Sequence, residues 1–281
     1  MSNYKETCNN YKEYIAGGVS GIVRIIFGYP IETVKVRMQT TGLNKYGIFN
    51  LKSLYKGSTG VFACSTIATS IEFGAYNWCK ILLDKENLNQ RTMIKNSLIA
   101  GAFAGICQLP ITVPMELIRN RLQTVSNTAN LGRFNSLALY CNILKSNGLK
   151  GLYKGTMITA SRDSIGTSLY FTSYELSKQY MSVYYNLTDT YLSQSVSGVI
   201  AGLAFWLPIY PIDVIKNNIQ IDDLTNPKFK NSLECAKHIY KIDGIGGFYR
   251  GFLPCMIRSV PVHIGIFASY KLVMDRISSN H

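Results

Sequence analysis

One ten-residue pattern occurs three times in this chain: PIETVKVRMQ at residues 30–39, PMELIRNRLQ at 114–123 and PIDVIKNNIQ at 211–220. Each copy begins with a proline, has an acid two residues later and a base five residues later, and ends with a glutamine. A pattern with so many fixed positions does not recur three times by chance. The chain is therefore a triplication, and repeats are the first feature to settle when a fold is predicted.

The sequence around each copy repeats as well. A Gly-x-x-x-Gly step precedes each proline, at Gly17/Gly21, Gly101/Gly105 and Gly198/Gly202. An aromatic-base-glycine step follows each glutamine, at Tyr55-Lys56-Gly57, Tyr153-Lys154-Gly155 and Tyr249-Arg250-Gly251. We therefore divide the chain into three repeats of about 90 residues, 1–92, 93–188 and 189–281. Each repeat predicts an apolar helix ending at the charged motif, a polar loop and a second apolar helix. The paired glycines predict close packing between neighbouring helices.

The composition indicates a membrane protein. The chain is 47% apolar and only 16% charged, against about 25% charged in an ordinary soluble domain. Six apolar stretches are each long enough to span about 30 Å of hydrocarbon: 14–34, 59–83, 96–118, 156–176, 191–215 and 252–274. Each carries Gly, Ser, Thr or a charge, which suits helices with one lipid-facing side and one side that lines an aqueous cavity. A soluble helical protein is the alternative, and the alternation of six apolar stretches with polar loops disfavours it.

Charge and cysteine patterns exclude several classes of function. The formal net charge is +13, but the basic residues are dispersed, so anionic lipid head groups are better partners than nucleic acid. Seven cysteines form no Cys-x-x-Cys pair and three histidines form no cluster, which argues against a disulfide framework or a metal site. We find no catalytic pattern and expect neither an enzyme nor a cofactor. Residues 1–13 resemble neither a secretory signal nor a transit peptide, so targeting information is expected within the chain.

The three motif copies resemble the Pro-x-[Asp/Glu]-x-x-[Lys/Arg] signature of the mitochondrial carrier family, and the resemblance covers essentially the whole chain. It implies an all-α membrane protein whose six tilted transmembrane helices surround a central cavity in pseudo-threefold symmetry, with a short loop helix in each repeat. It also implies alternating access of a small-molecule substrate across the mitochondrial inner membrane, with both termini towards the intermembrane space. Lys and Arg are in excess in the loops that follow the motifs, which indicates that this side faces the matrix. We expect a monomer.

The family's pairing rule implies a gate on the motif side of the molecule. The rule gives the ion pairs Glu32–Arg119, Glu116–Lys216 and Asp213–Lys35, and it places bracing amides at Gln39, Gln123 and Gln220. Physical chemistry agrees, since an acid and a base three residues apart share a helical face and each proline can kink its helix towards the axis. The alternative is that these ions only pack the bundle. Buried ion pairs are poor stabilisers compared with apolar side chains, so we expect a switch.

The outer side departs from the family's pattern of aromatic-acid-x-x-base on the even helices. We expect an outer gate at the six residues that match this pattern: Tyr76, Lys80, Tyr174, Glu175, Lys178 and Tyr270. The same cyclic pairing joins three mismatched sets: Asn77 with Lys178, Glu175 with Met274, and Lys271 with Lys80. No complete ion pair is expected, and the sequence therefore predicts a weak outer gate that is closed mainly by the tyrosines.

Five glycines after the motifs resemble the family's cardiolipin seats: Gly57, Gly148, Gly155, Gly244 and Gly251. The free backbone N–H groups at a helix N-terminus suit a phosphate. The alternative for each of them is an ordinary capping glycine.

Candidate cavity residues follow from steps of four residues along the even helices, because such residues stay near one helical face. The family places its substrate contacts at the first member of each series, which implies Cys64, Arg162 with Asp163, and Arg258. Glu72 lies on the same series as Cys64, and Arg24 lies almost three turns before Lys35. Intramembrane charges are functional by default. The alternatives are a local structural pair for Arg162–Asp163 and a helix-to-helix ion pair for Glu72 or Arg24.

The cavity thus contains both signs of charge. Arg162 and Arg258 can hold a carboxylate, and Asp163 or Glu72 can hold an ammonium. This combination favours a zwitterion or a cationic amino acid over a dicarboxylate or a nucleotide. The fourth-helix string from Arg162 to Glu175 resembles the branch that carries acylcarnitines, ornithine and other basic amino acids. Two alternatives stay open: a proton or anion leak of the uncoupling type, and a non-transporting membrane scaffold on the same fold.

Overall fold

The computed structural model describes residues 26, 28–40, 54–55, 58–83, 90–124, 136–185, 191–258 and 262. Its longer helices are α1 (28–40), α2 (Ser58–Leu83), α3 (Gln90–Cys107), α4 (Leu109–Thr124), α5 (Ser136–Leu152), α6 (Thr156–Tyr185), α7 (Tyr191–Ile221) and α8 (Ser232–Asp243). A 3₁₀ helix over Ile245–Tyr249 leads into α9 (252–258). No described residue lies in a β-strand, and the predicted all-α class is confirmed.

The second and third repeats share one order of elements. In the second repeat the bent pair α3–α4 is followed by the loop helix α5 and the long helix α6. In the third repeat α7 is followed by the loop helix α8 and by α9. Asn231 is the N-cap of α8. Its side chain accepts a hydrogen bond from the backbone N–H of Glu234, which satisfies one of the free donors of the first turn.

The helices pack on neighbours in sequence and on more distant helices. The most extensive helix contacts are those of α6 with α7 and with α3. Helix α2 packs on α3 and α4, and α4 packs on α7. Short connections between long helices favour such antiparallel neighbours. The three motif-bearing helices α1, α4 and α7 meet at one end, which we call the motif side.

Each motif proline removes a backbone donor, and a tyrosine replaces it in two repeats. Pro30 and Pro114 cannot donate to the carbonyl four residues earlier. The hydroxyl of Tyr55 donates instead to Ile26 O at 2.8 Å, and that of Tyr153 donates to Pro110 O at 3.0 Å. These tyrosines come from the aromatic-base-glycine steps, so the two sequence motifs of a repeat are joined by a hydrogen bond.

The predicted kink in the second repeat lies earlier than the motif proline. Helices α3 and α4 meet at an angle of 60° across Gln108. Pro110 stands in the first turn of α4, where a missing N–H is tolerated, and Pro114 lies inside the helix. In the third repeat, α7 contains both Pro208 and Pro211 and is continuous over 31 residues.

Among the described residues, one helical segment is long and apolar enough to cross a membrane by itself, Val196–Ile221 in α7. The bent pair α3–α4 meets the same criterion when its two parts are taken together. Helices α2 and α6 have 26 and 30 residues and are long enough at 1.5 Å per residue, but they carry more polar side chains. The predicted stretches 14–34 and 252–274 lie largely outside the described residues.

The predicted close packing at the Gly-x-x-x-Gly step is confirmed in the second repeat. A Cβ atom on Gly101 would lie 2.6 Å from Cα of Ser168, and one on Gly105 would lie 2.6 Å from the carbonyl oxygen of Asp163. The Thr167 hydroxyl donates to Gly101 O at 2.6 Å. At Gly198 and Gly202 a Cβ would meet no atom of the described residues. Gly17 and Gly21 lie outside them.

We expect Gly105→Ala to lower the free energy of unfolding by about 1–3 kcal/mol, because the added methyl group overpacks the contact between α3 and α6. The measurement is the thermal unfolding midpoint of the detergent-solubilised protein. The control is Gly74→Ala on α2, where a Cβ meets nothing within 4 Å. This control should be neutral or slightly more stable, by about 0.5–1 kcal/mol. Equal stability of the two variants would contradict the close packing.

Candidate functional site

The motif side contains the three ion pairs that the pairing rule gives. Lys35 Nζ lies 2.7 Å from Asp213 Oδ2. Lys216 Nζ lies 2.8 Å from Glu116 Oε2, and Arg119 Nη1 lies 3.0 Å from Glu32 Oε1. Each pair joins the base of one repeat to the acid of the preceding repeat in cyclic order. Helices α1, α4 and α7 are thereby tied together by buried charges.

Arg162 of α6 extends this network. Its Nη1 atom lies 3.1 Å from Glu116 Oε1 and 2.9 Å from Asp163 Oδ1, and its Nε atom lies 3.2 Å from Asp213 Oδ1. The residue is 8% exposed. A sequence-predicted substrate contact is thus also in contact with two acids of the motif. The resulting buried set, which we call the ion cluster, holds four acids and four bases: Glu32, Glu116, Asp163, Asp213, Lys35, Arg119, Arg162 and Lys216.

The three motif glutamines differ in their contacts. Gln39 Nε2 donates to Asp213 Oδ2 at 3.3 Å, so it lies where a brace is expected. Gln123 donates instead to Thr33 Oγ1 at 3.0 Å, and the side-chain oxygen of Gln220 accepts from Asn120 at 2.7 Å. These two amides therefore connect to neighbours of the ion pairs through buried polar groups, and their role as braces stays a prediction.

Asn120 and Asn217 were not singled out from the sequence. Asn120 Nδ2 donates to Asn217 Oδ1 at 2.9 Å, and Asn217 Nδ2 donates to Gln39 Oε1 at 2.5 Å. Both asparagines stand directly after the motif base, where the first repeat has Val36. A buried polar side chain needs a partner, and these amides donate to one another and to the motif glutamines in a layer next to the ion cluster. The polar residue directly after the motif base in two repeats is the sequence feature that could have indicated this layer.

Trp206 of α7 is a second residue that the sequence reasoning missed. Lys35 Nζ lies 3.9 Å from the centre of a Trp206 ring, and the guanidinium carbons of Arg162 and Arg258 lie 5.8 and 6.0 Å from it. Phe205 stands beside it and also lies 5.8 Å from Arg162. Cations are attracted to the face of an indole ring at such distances. Trp206 therefore connects the ion cluster to both candidate substrate arginines.

The prediction that the outer gate holds no complete ion pair is wrong. Lys80 Nζ of α2 forms an ion pair with Glu175 of α6, and the Tyr76 hydroxyl donates to the same carboxylate at 3.1 Å. The Tyr76 ring stacks on Phe171 at 3.8 Å. The cyclic rule assigned Glu175 to Met274, but in the structure Glu175 pairs with the base of the first repeat. Tyr174 and Lys178 lie on α6 next to this contact, and Tyr270 lies outside the described residues.

Comparison with known proteins agrees with this architecture. The family model for the mitochondrial carrier protein matches residues 6–87, 90–185 and 188–281. The chain belongs to the mitochondrial carrier family. It is 33% identical over 277 residues to mitochondrial substrate carrier family protein S of Dictyostelium discoideum, a match that covers 94% of this chain and 96% of that protein.

Two further relatives carry more specific names. The glutamate/glycine mitochondrial carrier ymc1 of Schizosaccharomyces pombe is 31% identical, with 95% of this chain and 94% of that protein covered. A mitochondrial carnitine/acylcarnitine carrier-like protein of Arabidopsis thaliana is 29% identical, with 95% and 98% covered. The family and these relatives make the chain a solute carrier of a mitochondrial membrane, and the members of this family are transporters.

The remaining cavity residues of the carrier are placed less closely together. Cys64 and Glu72 lie half-buried on α2, and Arg258 lies half-buried at the end of α9. Arg258 forms no ion pair with any described residue, although its guanidinium faces Trp206. Arg24 lies outside the described residues. The structure thus brings Arg162 and Arg258 to the aromatic pair of α7, with Asp163 paired to Arg162, and places Cys64 and Glu72 on α2.

Of the glycines that resemble lipid seats, Gly148 forms a kink inside the loop helix α5, and Gly244 directly follows the loop helix α8. Gly148 and Gly244 have φ angles of 63° and 62°, and Gly155 and Gly251 have φ angles of 84° and 77°. Gly155 and Gly251 directly precede α6 and α9, so the first N–H groups of those helices face the motif side. Gly57 lies outside the described residues. A Cβ on Gly251 would lie 3.1 Å from Lys35 O, which is a packing reason for glycine there.

We expect Asp213→Asn to destabilise the carrier more than Glu32→Gln does. Asp213 contacts Lys35, Arg162 and Lys216, so its neutralisation leaves several buried cations undercompensated, at a cost of about 3–5 kcal/mol. The side chain of Glu32 is 19% exposed and is the most exposed acid of the three motif pairs. Thermal unfolding midpoints of the two variants decide the order, and equal midpoints would contradict the sharing of Asp213.

At the outer side, Lys80→Glu or Glu175→Lys should each place two like charges together and lower the unfolding midpoint. The double exchange restores opposite charges and should recover most of the loss. A coupling free energy of about 1 kcal/mol is expected for this partly exposed pair. The measurement is a double-mutant cycle of unfolding midpoints in the substrate-free protein. Simple addition of the two single effects would show that Lys80 and Glu175 do not interact.

Proposed function

We propose that this carrier exchanges amino-acid-like or carnitine-like zwitterionic or cationic metabolites across the mitochondrial inner membrane by alternating access. The observation that carries the proposal is the buried contact of 2.9 Å between Arg162 and Asp163. Two adjacent residues there present a guanidinium and a carboxylate, and the guanidinium lies 5.8 Å from the ring centres of Phe205 and Trp206. A bound zwitterion replaces this self-pair with two pairs of its own and leaves the net charge of the cavity unchanged.

The chemistry of each group fits such a substrate. The planar guanidinium of Arg162 can take a carboxylate with two parallel hydrogen bonds, and Arg258 lies across the Trp206 ring as a second anion partner. Asp163 can take the ammonium, with Glu72 as a second acid on α2. The faces of Trp206 and Phe205 already attract cations, and they suit an ammonium or a quaternary nitrogen. A dicarboxylate would leave Asp163 without a partner.

The relatives support the same class of solute. The fission yeast relative is named a glutamate/glycine carrier and the Arabidopsis relative a carnitine/acylcarnitine carrier-like protein. Glutamate, glycine and carnitine each have a carboxylate and a positively charged nitrogen. The shared chemistry of these solutes, and not any one of them, is what the proposal transfers to this chain.

In the proposed mechanism the ion cluster is the gate on the matrix side, and both termini lie towards the intermembrane space. Opening separates α1, α4 and α7 and breaks the three motif pairs. The substrate compensates by binding more tightly in the intermediate state than in either end state, which shifts the population towards it. The protein acts as a monomer, and Gly148, Gly155, Gly244 and Gly251 offer backbone N–H groups to cardiolipin phosphates.

A thermal-shift experiment on the purified carrier tests the substrate class. A ligand at 100 times its Kd stabilises the fold by about 2.7 kcal/mol. We expect stabilisation by arginine, lysine, ornithine or carnitines, and its loss in Asp163→Asn and Arg258→Ala. The control is Lys145→Ala on the exposed face of α5, which should respond like the unchanged protein. Stabilisation by dicarboxylates or nucleotides alone would overturn the zwitterion assignment and leave the carrier itself intact.

Flux in proteoliposomes separates exchange from leak. Uptake of a stabilising solute should require the same or a related solute inside the vesicle. Potential-driven flux without internal solute would replace exchange with an uncoupling-type leak, and absence of any flux with every binding solute would favour a scaffold on the carrier fold.

A further inference from the structure

Arg37 of α1 donates a hydrogen bond to the end of a neighbouring motif helix. Its side chain is buried, with 4% exposed, and its Nε atom donates to the backbone carbonyl of Gln123 in α4 at 2.9 Å. Gln123 lies in the last turn of α4, whose final carbonyls have no partner within the helix. A guanidinium there satisfies a carbonyl and also lies at the negative end of the helix dipole.

The two other repeats contain the same contact. Arg121 of α4 donates from Nη2 to the carbonyl of Asp222, directly after α7, at 2.5 Å. Asn218 of α7 donates from Nδ2 to the carbonyl of Gln39, near the end of α1, at 3.1 Å. Arg37, Arg121 and Asn218 each stand two residues after the motif base. We call them the clamp residues.

The contacts of the clamp residues connect the three repeats in the opposite cyclic direction to the ion pairs. Each motif base reaches back to the acid of the preceding repeat, whereas each clamp residue reaches forward to the helix end of the next repeat. Between α1 and α4, for example, Arg119 reaches Glu32 and Arg37 reaches Gln123. Every seam between two motif helices is thus held by one link in each direction.

We propose that Arg37, Arg121 and Asn218 form a second closing layer of the motif-side gate, which must release its three helix ends before those helices separate. The inference rests on the proposed gate function but not on the identity of the solute. Two members are cations and the third is a neutral amide that also donates to Val214 O in its own helix at 2.9 Å. The seam between α7 and α1 is therefore the most weakly clamped.

The seam between α4 and α7 has an additional link. Lys154, which precedes α6, donates from Nζ to the carbonyl of Asp223 at 2.8 Å and to that of Asp222 at 3.3 Å. Burial raises the pKa of the Asp222 carboxyl. The backbone N–H groups of Lys228 and Phe229 and the charge of Lys154 lower it by more than this, so the pKa lies below its usual value. The charged Asp222 therefore holds Lys154 at this helix end.

Hydrogen–deuterium exchange of the substrate-free carrier tests the clamp directly. In Arg37→Met, exchange should rise in the last turn of α4, and in Arg121→Met it should rise at the end of α7. In Asn218→Ala it should rise at the end of α1. Loss of a charged hydrogen bond is expected to speed local exchange by roughly tenfold or more, with a smaller effect for Asn218. In each case the faster exchange is expected at the end of the next motif helix and not in the substituted helix. A local packing defect would not produce this pattern.

Two controls separate the clamp from general loosening. Lys150→Met removes a charge from the exposed face of α5 and should leave all three helix ends protected. Arg37→Gln keeps a side-chain donor and should restore part of the protection at the end of α4. Faster exchange confined to the substituted helix, or equal increases at all three ends, would overturn the clamp.

The gating role has its own test. If the two links of a seam close together, Glu32→Gln, which breaks the ion pair between α1 and α4, should also release the end of α4 and leave the end of α7 protected. An α4 end that stays protected in Glu32→Gln would make Arg37 a local helix cap and overturn its part in the gate. Failure of zwitterion binding changes none of these results, because the experiments contain no solute.

Discussion

The structure depends on the cost of burying charge away from water. Four acids and four bases lie together where α1, α4, α6 and α7 meet, and each can stay ionised there only beside a partner. Removing one partner of such a pair costs about 3–5 kcal/mol, so the helix ends cannot drift apart gradually. Either the cluster is closed with its charges paired, or it is open to water. For the proposed gate, this constraint makes a two-state element out of the three motif helices.

The three motif pairs of the ion cluster are related by the threefold repeat, whereas other members of the cluster occur in one repeat only. The three motif pairs follow one cyclic rule because they arise from one repeated pattern. Arg162 breaks the symmetry, since it contacts Glu116 and Asp213 from the second repeat alone, while the corresponding residues are Cys64 and Arg258. The seam between α4 and α7 thereby gains a cation that the other seams lack. A solute that binds Arg162 competes with two acids of the gate, which connects binding to opening.

Repeated patterns predicted part of the structure, and contacts that depend on single residues were missed. The close approach at Gly101 and Gly105 follows from a step present in all three repeats, whereas the motif pairs and the loop helices follow from the resemblance to the family. The cyclic rule failed for Glu175 because it assumed symmetry where the third repeat has Met274, and the nearest base, Lys80, took the carboxylate. Trp206 was missed because its contact with Lys35 joins residues far apart in the chain. No local spacing indicates such a contact.

The proline motif and the aromatic-base-glycine step of a repeat are linked because backbone carbonyls within a membrane need a hydrogen-bond donor from the protein. A proline within a spanning helix leaves a carbonyl without a donor, and lipid cannot supply one. Tyr55 and Tyr153 supply it from the start of the next helix, so the bend, the loop and the following helix are fixed as one unit. The charged residues of the motif are thereby held at a fixed position along the helix bundle. Trp206 and Arg258 lie outside this framework, so in the proposed mechanism they can vary with the solute while the motif pairs stay the same.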